Sequence, residues 1–168
     1  MGNSPMGYAF PAAIGASIAT GNKPIICIIG DGGFQMNLQE LQTLVHYKTP
    51  VKLFILNNHS YGIILQFQDD NFGGNYAASH PESGYTIPDF TKVAHAYGVK
   101  TASITNHDEL RKKIRSVLEE KDAVLCDVLL ETKQRLIPKT QFGKPIEDLS
   151  PALPREEFLE NMIIEPLD

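Results

Sequence analysis

Two short apolar runs, each followed by a polar tip, constrain the fold of this 168-residue chain more than any other feature. The first run, 24–29, precedes Gly30–Gly33, and the second run, 51–56, precedes Asn57 and Asn58. Strands that are apolar throughout are typical of parallel sheets covered by helices on both faces. The segment between the runs is long enough for a crossover helix. We therefore predict an α/β fold, a doubly wound, mostly parallel sheet with helices on both faces.

The two polar tips predict a site for a metal ion and a diphosphate. In open parallel sheets, ligands bind beyond the carboxyl ends of the strands. Asp31 offers a charged oxygen and Asn58 a neutral one, which suits Mg2+. Gly32 and Gly33 allow the backbone to approach phosphate groups, and a helix predicted to begin near Phe34 adds its positive end. Either motif alone is usually a turn or a loop, but together they favour a ligand site.

The same residues resemble the thiamine diphosphate motif, and their surroundings resemble the acetolactate synthase group of enzymes. The similarity runs from about residue 2 to about residue 130. The matching segments are 6–16, 30–32, 34–41, 49–52, 56–58 and 61–67. By this resemblance, residues 1–137 form a thiamine diphosphate- and magnesium-binding domain of that family's fold. Residues 138–168, which are rich in proline and acidic side chains, are expected to form an extended C-terminal tail.

The resemblance also implies roles for individual residues. Asp31 and Asn58 would be side-chain ligands of Mg2+, and the main-chain carbonyl of Ser60 would be a third ligand. Met6 would support the bent, V-shaped conformation of the cofactor. The residues expected to bind the cofactor are Ser4, Met6, Gly30, Asp31, Gly32, Gly33, Asn58, Tyr61, Gly62 and Ile63. The family usually has tryptophan where this chain has Phe67.

By the same resemblance, the holoenzyme would decarboxylate a 2-oxo acid such as pyruvate and transfer the two-carbon unit to a carbonyl acceptor. The acceptor could be another 2-oxo acid or a keto sugar. The glutamate that activates the cofactor's pyrimidine is expected on another domain or subunit, and FAD, if used, would bind a domain absent from this chain. The chain alone is expected to be inactive and the enzyme to be a homo-oligomer.

Other functions remain open at this point. A 2-oxo acid decarboxylase or a pyruvate oxidase would keep the same motif. A non-catalytic module that binds a diphosphate, or one that only dimerises, is the alternative from another class. A Rossmann dinucleotide site is disfavoured, because Gly30–Gly33 does not give the Gly-x-Gly-x-x-Gly spacing.

Composition disfavours several other classes. The net charge is −5 without a basic cluster, which argues against nucleic acid as a partner. No apolar run approaches the ~20 residues of a membrane span, and the N-terminus lacks a signal-peptide pattern, so we expect a cytoplasmic protein. Cys27 and Cys126 lie in apolar runs and are expected to be buried, reduced thiols.

The remaining pattern predicts the rest of the sheet and its helices. Helices are predicted at 11–20, 37–47, 88–97 and 106–120, and further strands at 99–104 and 123–130. Asn106 with Glu109 forms a capping-box pattern. Residues 68–87 are polar and glycine-rich, and two interpretations remain open for them: a loop that covers the substrate, or a solvated excursion.

Overall fold

The sheet is parallel throughout, as the apolar runs predicted. The computed structural model describes Asn3 and residues 5–167. Within them, four parallel strands pair in the order β1-β2-β4-β3. The strands are β1 (Ile25–Gly30), β2 (Val51–Asn57), β3 (Lys100–Ile104) and β4 (Val124–Leu129). This order places β2 and β4 in the centre, where both neighbours satisfy their backbone hydrogen bonds.

Helices lie on both faces of this sheet, which confirms the predicted α/β class. The helices of the first 134 residues are α1 (Ala9–Ala19), α2 (Asp31–Met36), α3 (Glu40–Tyr47), α4 (Gly62–Phe72), α5 (Phe90–Ala96) and α6 (His107–Glu119). Side chains from α1, α2, α3 and α5 form the larger core, which includes Phe10, Phe34 and Phe90. The smaller core, on the opposite face, joins Phe54 and Cys126 to α6.

The expectation that helices cover both faces of the first two strands is wrong for β1. Ile26 and Ile28, which point away from the larger core, are 57% and 62% exposed. β1 is an edge strand, and α6 packs against β3. Cys27 and Ile29, on the other face, are buried. Among the described residues, β1 is therefore covered on one face only.

The helix predicted from Asn37 to Tyr47 is present as α3, which begins three residues later than predicted, at Glu40. A separate helix, α2, precedes it and begins at Asp31 rather than near Phe34. The break falls at Asn37, whose side chain donates to the carbonyl of Gly7 (3.0 Å). Asn37 thereby leaves the helical conformation and ends α2. The glycine motif consequently forms the first turn of a helix, not a loop that precedes one.

The helices around β3 follow their predictions closely, because their caps are readable in the sequence. The side chain of Asn106 accepts from the amide of Glu109 (3.1 Å) at the start of α6. Asp89 accepts from the amides of Thr91 and Lys92, both at 3.1 Å, so α5 begins after Asp89 rather than at the predicted residue 88. Both contacts satisfy amides that have no partner within the helix.

Helix α4 was not predicted. It covers residues 62–72 and takes in the first part of the segment expected to be a loop. Its apolar residues do not mark the buried face, because Ile63 and Ile64 are exposed while Leu65 and the polar Gln66 are buried. The helix ends at Gly73, which adopts the left-handed conformation. That glycine is the one sequence signal that indicates the helix.

Residues 135–167 belong to a second compact unit. Lys139 and Ser150 exchange two backbone hydrogen bonds (2.9 and 2.7 Å), and a seventh helix, α7, spans Arg155–Asn161. Arg155 pairs with Asp148 at 2.8 Å. The segment expected to be an extended tail therefore contains a helix and local pairing. Across the described residues of both units, no helix has the length and apolar character needed to cross a membrane.

Candidate functional site

The register of the first two strands brings the two polar tips together. Gly30, at the end of β1, pairs with Leu56 near the end of β2. Asp31 and Asn58 therefore leave the sheet at the same edge, on neighbouring strands. This is the carboxyl edge at which parallel sheets bind ligands.

Asp31 has a buried carboxylate, and one of its two oxygens has no hydrogen-bond partner among the described residues. The residue is 2% exposed. Its Oδ1 accepts from the amide of Gly32 at 2.8 Å. Its Oδ2 is buried and has no hydrogen-bond partner among the residues that the structure describes. A buried carboxylate oxygen in this state is costly unless a ligand satisfies it.

The electrostatics of Asp31 place its carboxyl group beside the turn that follows β2. Burial raises its pKa, and four weaker influences lower it. These are the amide of Gly32, the charge of His59, and the amides of Ser60 and His59. Asp31 therefore lies within electrostatic range of the backbone at 59–60, immediately after Asn58.

Asn57 and Asn58 have different surroundings. The Nδ2 of Asn57 donates to Oδ1 of Asp127 on β4 (3.0 Å), and its Oδ1 accepts from the amide of His59 (3.2 Å). Asn58 instead turns toward its own loop, where its Oδ1 accepts from the amide of Ser60 (3.3 Å). Asn57 thus joins β2 to β4, whereas Asn58 is half-buried and its side chain caps the turn that follows β2.

Glycine at two positions keeps room for these side chains. A Cβ atom on Gly32 would lie 2.2 Å from a ring carbon of Tyr61 and 3.0 Å from Cε of Met6. A Cβ atom on Gly62 would lie 2.7 Å from Nδ2 of Asn58. By contrast, the space beside Gly30 is open for 4 Å. A Cβ atom at Gly32 would therefore force the ring of Tyr61 to move, one at Gly62 would displace the end of the Asn58 side chain, and Gly30 has room for one. The predicted approach of Gly32 and Gly33 to a phosphate group stays a prediction.

Other residues predicted to bind the cofactor form an open rim around this centre. Met6 is 51% exposed with its methyl group over Gly32, and Tyr61 is half-buried beside the same glycine. A Cβ atom on Gly33 would lie closest to the side chain of Ile29 on β1. Ile63 is 73% exposed. The predicted contact at Ser4 lies outside the described residues.

Sequence analysis missed Tyr85. It is 6% exposed, and its hydroxyl has no hydrogen-bond partner among the described residues. Its ring packs on Tyr61 with 4.2 Å between centroids. It lies close enough to Asp31 that, after burial, the charge of that carboxylate is the next cause that raises the pKa of Tyr85. An aromatic residue inside a polar, glycine-rich segment was the only sequence signal.

The segment that carries Tyr85 is packed rather than solvated. Ser79 is fully buried, and its hydroxyl donates to Oε1 of Gln68 on α4 (2.7 Å). The carbonyl of Ser79 accepts from the amide of Tyr61 (2.9 Å). His80, which is 8% exposed, caps a short 3-10 helix at Pro81–Ser83. The interpretation of residues 68–87 as a solvated excursion is therefore wrong for Ser79, His80 and Tyr85, which are buried, while a role over the substrate stays a prediction.

The residues present fit a metal ion that also binds a phosphate ligand. Asp31 supplies a buried oxygen that lacks a partner, and Asn58 supplies an amide oxygen nearby. Within the described part of the chain, no three His, Cys, Asp or Glu side chains form a cluster that could hold a metal. Mg2+ commonly uses one or two carboxylates together with phosphate oxygens and water.

Comparisons with known proteins agree with this geometry. Residues 1–128 match the family described as "Thiamine pyrophosphate enzyme, C-terminal TPP binding domain". The acetolactate synthase large subunit of Cyanidium caldarium is 40% identical over 143 residues, covering 85% of this chain and 24% of the relative. That of Haemophilus influenzae is 34% identical over 157 residues, covering 93% and 27%. A probable acetolactate synthase large subunit of Methanocaldococcus jannaschii is 34% identical over 165 residues, covering 95% and 27%.

The chain thus spans about a quarter of the length of these relatives. The family match covers most of its 168 residues and includes both polar tips. The site at the carboxyl edge lies wholly inside that match. We conclude that the chain belongs to the family of C-terminal TPP-binding domains of thiamine pyrophosphate enzymes.

Proposed function

We propose that the carboxyl edge of β1 and β2 holds the diphosphate of thiamine diphosphate through a Mg2+ ion. Asp31 and Asn58 would bind the ion through their side chains, and Ser60 through its main-chain carbonyl. The observation that carries this proposal is the buried Oδ2 of Asp31, which lacks a partner among the described residues. A divalent cation is the ligand that best offsets the free-energy cost of burying a carboxylate.

The surrounding residues would bind the organic part of the cofactor. Gly30, Gly32 and Gly33 lie next to Asp31 and would face the diphosphate, with Gly62 keeping room for Asn58. Met6, Tyr61 and Ile63 form the exposed apolar rim on which the rings would rest. Met6, whose methyl group lies over Gly32, would hold the cofactor bent.

We further propose that the complete enzyme decarboxylates a 2-oxo acid, pyruvate in the first instance, and joins the two-carbon unit to a carbonyl acceptor. Identity to relatives named acetolactate synthase supports this activity. Bound thiamine diphosphate supplies the electron sink for the decarboxylation. The chain's own residues anchor and orient that cofactor. A glutamate for the pyrimidine would come from another domain or from a second subunit of a homo-oligomer.

Calorimetry of the full-length protein tests the metal site. Thiamine diphosphate is titrated with Mg2+ or with EDTA, into the wild type and into Asp31→Asn. The metal-dependent affinity should fall at least ~100-fold in the variant, which corresponds to about 2.7 kcal/mol. Asp127→Asn is the matched control, because it removes a half-buried carboxylate from the same edge that already has a partner in Asn57.

The control should bind within a few-fold of the wild type. Unchanged, metal-dependent affinity in Asp31→Asn would overturn the proposed site. The reaction is tested separately by carbon NMR with labelled pyruvate. A condensed hydroxy-keto acid supports the carboligase, whereas free acetaldehyde as the main product would identify a decarboxylase.

A further inference from the structure

Two buried polar groups without partners lie close together beside the proposed metal site. One is Oδ2 of Asp31, and the other is the hydroxyl of Tyr85. The residues are 2% and 6% exposed, so neither group has ready access to solvent. A buried polar group without a partner destabilises the fold, and more so when it is charged. Two such groups in one part of the fold therefore indicate a functional role for them.

The two groups are chemically complementary. An ionised carboxylate only accepts hydrogen bonds, whereas a phenol can donate one. Both groups lie beside the ring of Tyr61. A Cβ atom on Gly32, the neighbour of Asp31, would lie 2.2 Å from that ring, and the ring of Tyr85 packs on it with 4.2 Å between centroids. Neither polar atom has a hydrogen-bond partner among the described residues.

The backbone around Tyr85 fixes the position of its ring. Its amide donates to the carbonyl of His80 (3.0 Å), and its ring packs against that of Tyr61. The amide of Tyr61 in turn donates to the carbonyl of Ser79 (2.9 Å). The segment that follows α4 thus holds Tyr85 beside Tyr61, on the side of the sheet edge where Gly32 lies.

We propose that Tyr85 is a positioning residue for the metal site: its hydroxyl donates to Oδ2 of Asp31 and fixes the rotation of that carboxylate. The inference rests on the proposed role of Asp31 as a cation ligand. The amide of Gly32 already holds Oδ1. When the Tyr85 hydroxyl donates a hydrogen bond to one lone pair of Oδ2, the other lone pair points toward the cation. Hydrogen bonds to ligating carboxylates typically contribute 10–100-fold to metal affinity.

The test is the affinity of the full-length protein for Mn2+, measured by electron paramagnetic resonance at saturating thiamine diphosphate. Tyr85→Phe removes the hydroxyl and keeps the ring against Tyr61. We expect its dissociation constant for Mn2+ to rise ~10–100-fold. Tyr97→Phe, the same change at the end of α5, is the matched control and should leave the constant unchanged. Circular dichroism and urea unfolding without metal should show that both variants are folded.

Each other outcome has a definite meaning. If Tyr85→Phe binds Mn2+ as the wild type does while Asp31→Asn does not, the positioning role is overturned and the metal site stands. If neither variant affects Mn2+ binding, the proposed function itself fails. If Tyr85→Phe weakens thiamine diphosphate binding equally with and without metal, the hydroxyl binds the diphosphate and the inference is wrong.

Discussion

A buried charge lies at each of two opposite edges of the sheet, and the two charges have opposite surroundings. At the amino edge of the sheet, Lys52 is 1% exposed, and its ammonium group donates to the carbonyl of Asp122. Burial lowers the pKa of Lys52, but the nearby carboxylates of Glu120 and Asp122 oppose that effect. At the carboxyl edge, Asp31 is as deeply buried, yet one of its oxygens has no partner among the described residues.

This difference separates a structural charge from a functional one. A buried ion that is kept for the fold is paired, because an unpaired one is expensive. A buried ion that is kept for a ligand retains an open lone pair and thereby costs stability until the ligand arrives. Lys52 fits the first description and Asp31 fits the second. The following predictions test that contrast, beginning with the largest expected effect.

Removing the paired charge should cost stability without affecting the ligand site. Lys52→Ala deletes a buried side chain and leaves the Asp122 carbonyl without its donor, so we expect the free energy of unfolding to fall by about 2–5 kcal/mol. Urea unfolding measures it. Lys100→Ala is the control, since Lys100 is exposed and pairs with Glu120 and Asp122 on the surface; it should cost much less, because exposed ion pairs contribute little to stability. Loss of Mg2+-dependent cofactor binding in Lys52→Ala would contradict the prediction that Lys52 contributes to stability and not to the ligand site.

Crowding the glycine at the carboxyl edge should damage both the fold and the site. The new methyl group of Gly32→Ala would clash with the ring of Tyr61, which has to move. We expect a loss of about 1–3 kcal/mol in unfolding free energy, together with weaker cofactor binding. Gly15→Ala, in α1, meets nothing within 4 Å and should be stabilising by roughly 0.5–1 kcal/mol. Equal behaviour of the two variants would show that the Tyr61 contact does not restrict Gly32.

Neutralising the unpaired charge should stabilise the metal-free protein. Burial raises the pKa of Asp31 in the fold, above the value of about 3.9 in the unfolded chain. The contribution of Asp31 to the free energy of unfolding is therefore fully present below the pKa of the unfolded chain. It is lost as the pH rises through the higher pKa that Asp31 has in the folded protein. In EDTA at pH 7, Asp31→Asn should be more stable than the wild type by about 1 kcal/mol. Thermal unfolding from pH 4 to 8 in EDTA would reveal it, and a variant less stable than the wild type at pH 7 would show that ionised Asp31 does not destabilise the metal-free fold.

The thiols of Cys27, in β1, and Cys126, in β4, should not react in the folded protein. Burial raises the pKa of Cys27 and of Cys126 to about 11, with the charge of Asp127 adding to the shift of Cys126. At pH 8 both thiols therefore stay protonated and poorly nucleophilic. A disulfide reagent should label them only after unfolding in guanidinium. Fast labelling of the native protein would show that the strands open locally.

The strands and the meeting of the polar tips could be predicted because they depend on local signals. Apolar runs mark β1 and β2, and parallel pairing then brings Asp31 near Asn58. Helix α4 could not be predicted, because tertiary packing rather than periodicity decides which of its side chains are buried. The break at Asn37 depends on a contact with Gly7 that is distant in sequence.

Tyr85 was beyond sequence reasoning for a related reason. Its importance comes from the path of the chain after α4, which no pattern in residues 68–87 specifies. The cap at Asn106 shows the converse. There the partner amide, that of Glu109, lies three residues from the side chain, so residue type and spacing alone identify the contact.

The most direct test of the account is a crystal structure of the full-length protein with thiamine diphosphate and Mn2+, in which anomalous scattering locates the ion. The account predicts an ion peak within about 2.5 Å of both Oδ2 of Asp31 and Oδ1 of Asn58, with phosphate oxygens completing its coordination. An ion bound elsewhere, with the Asp31 carboxylate still buried and unoccupied, would contradict it.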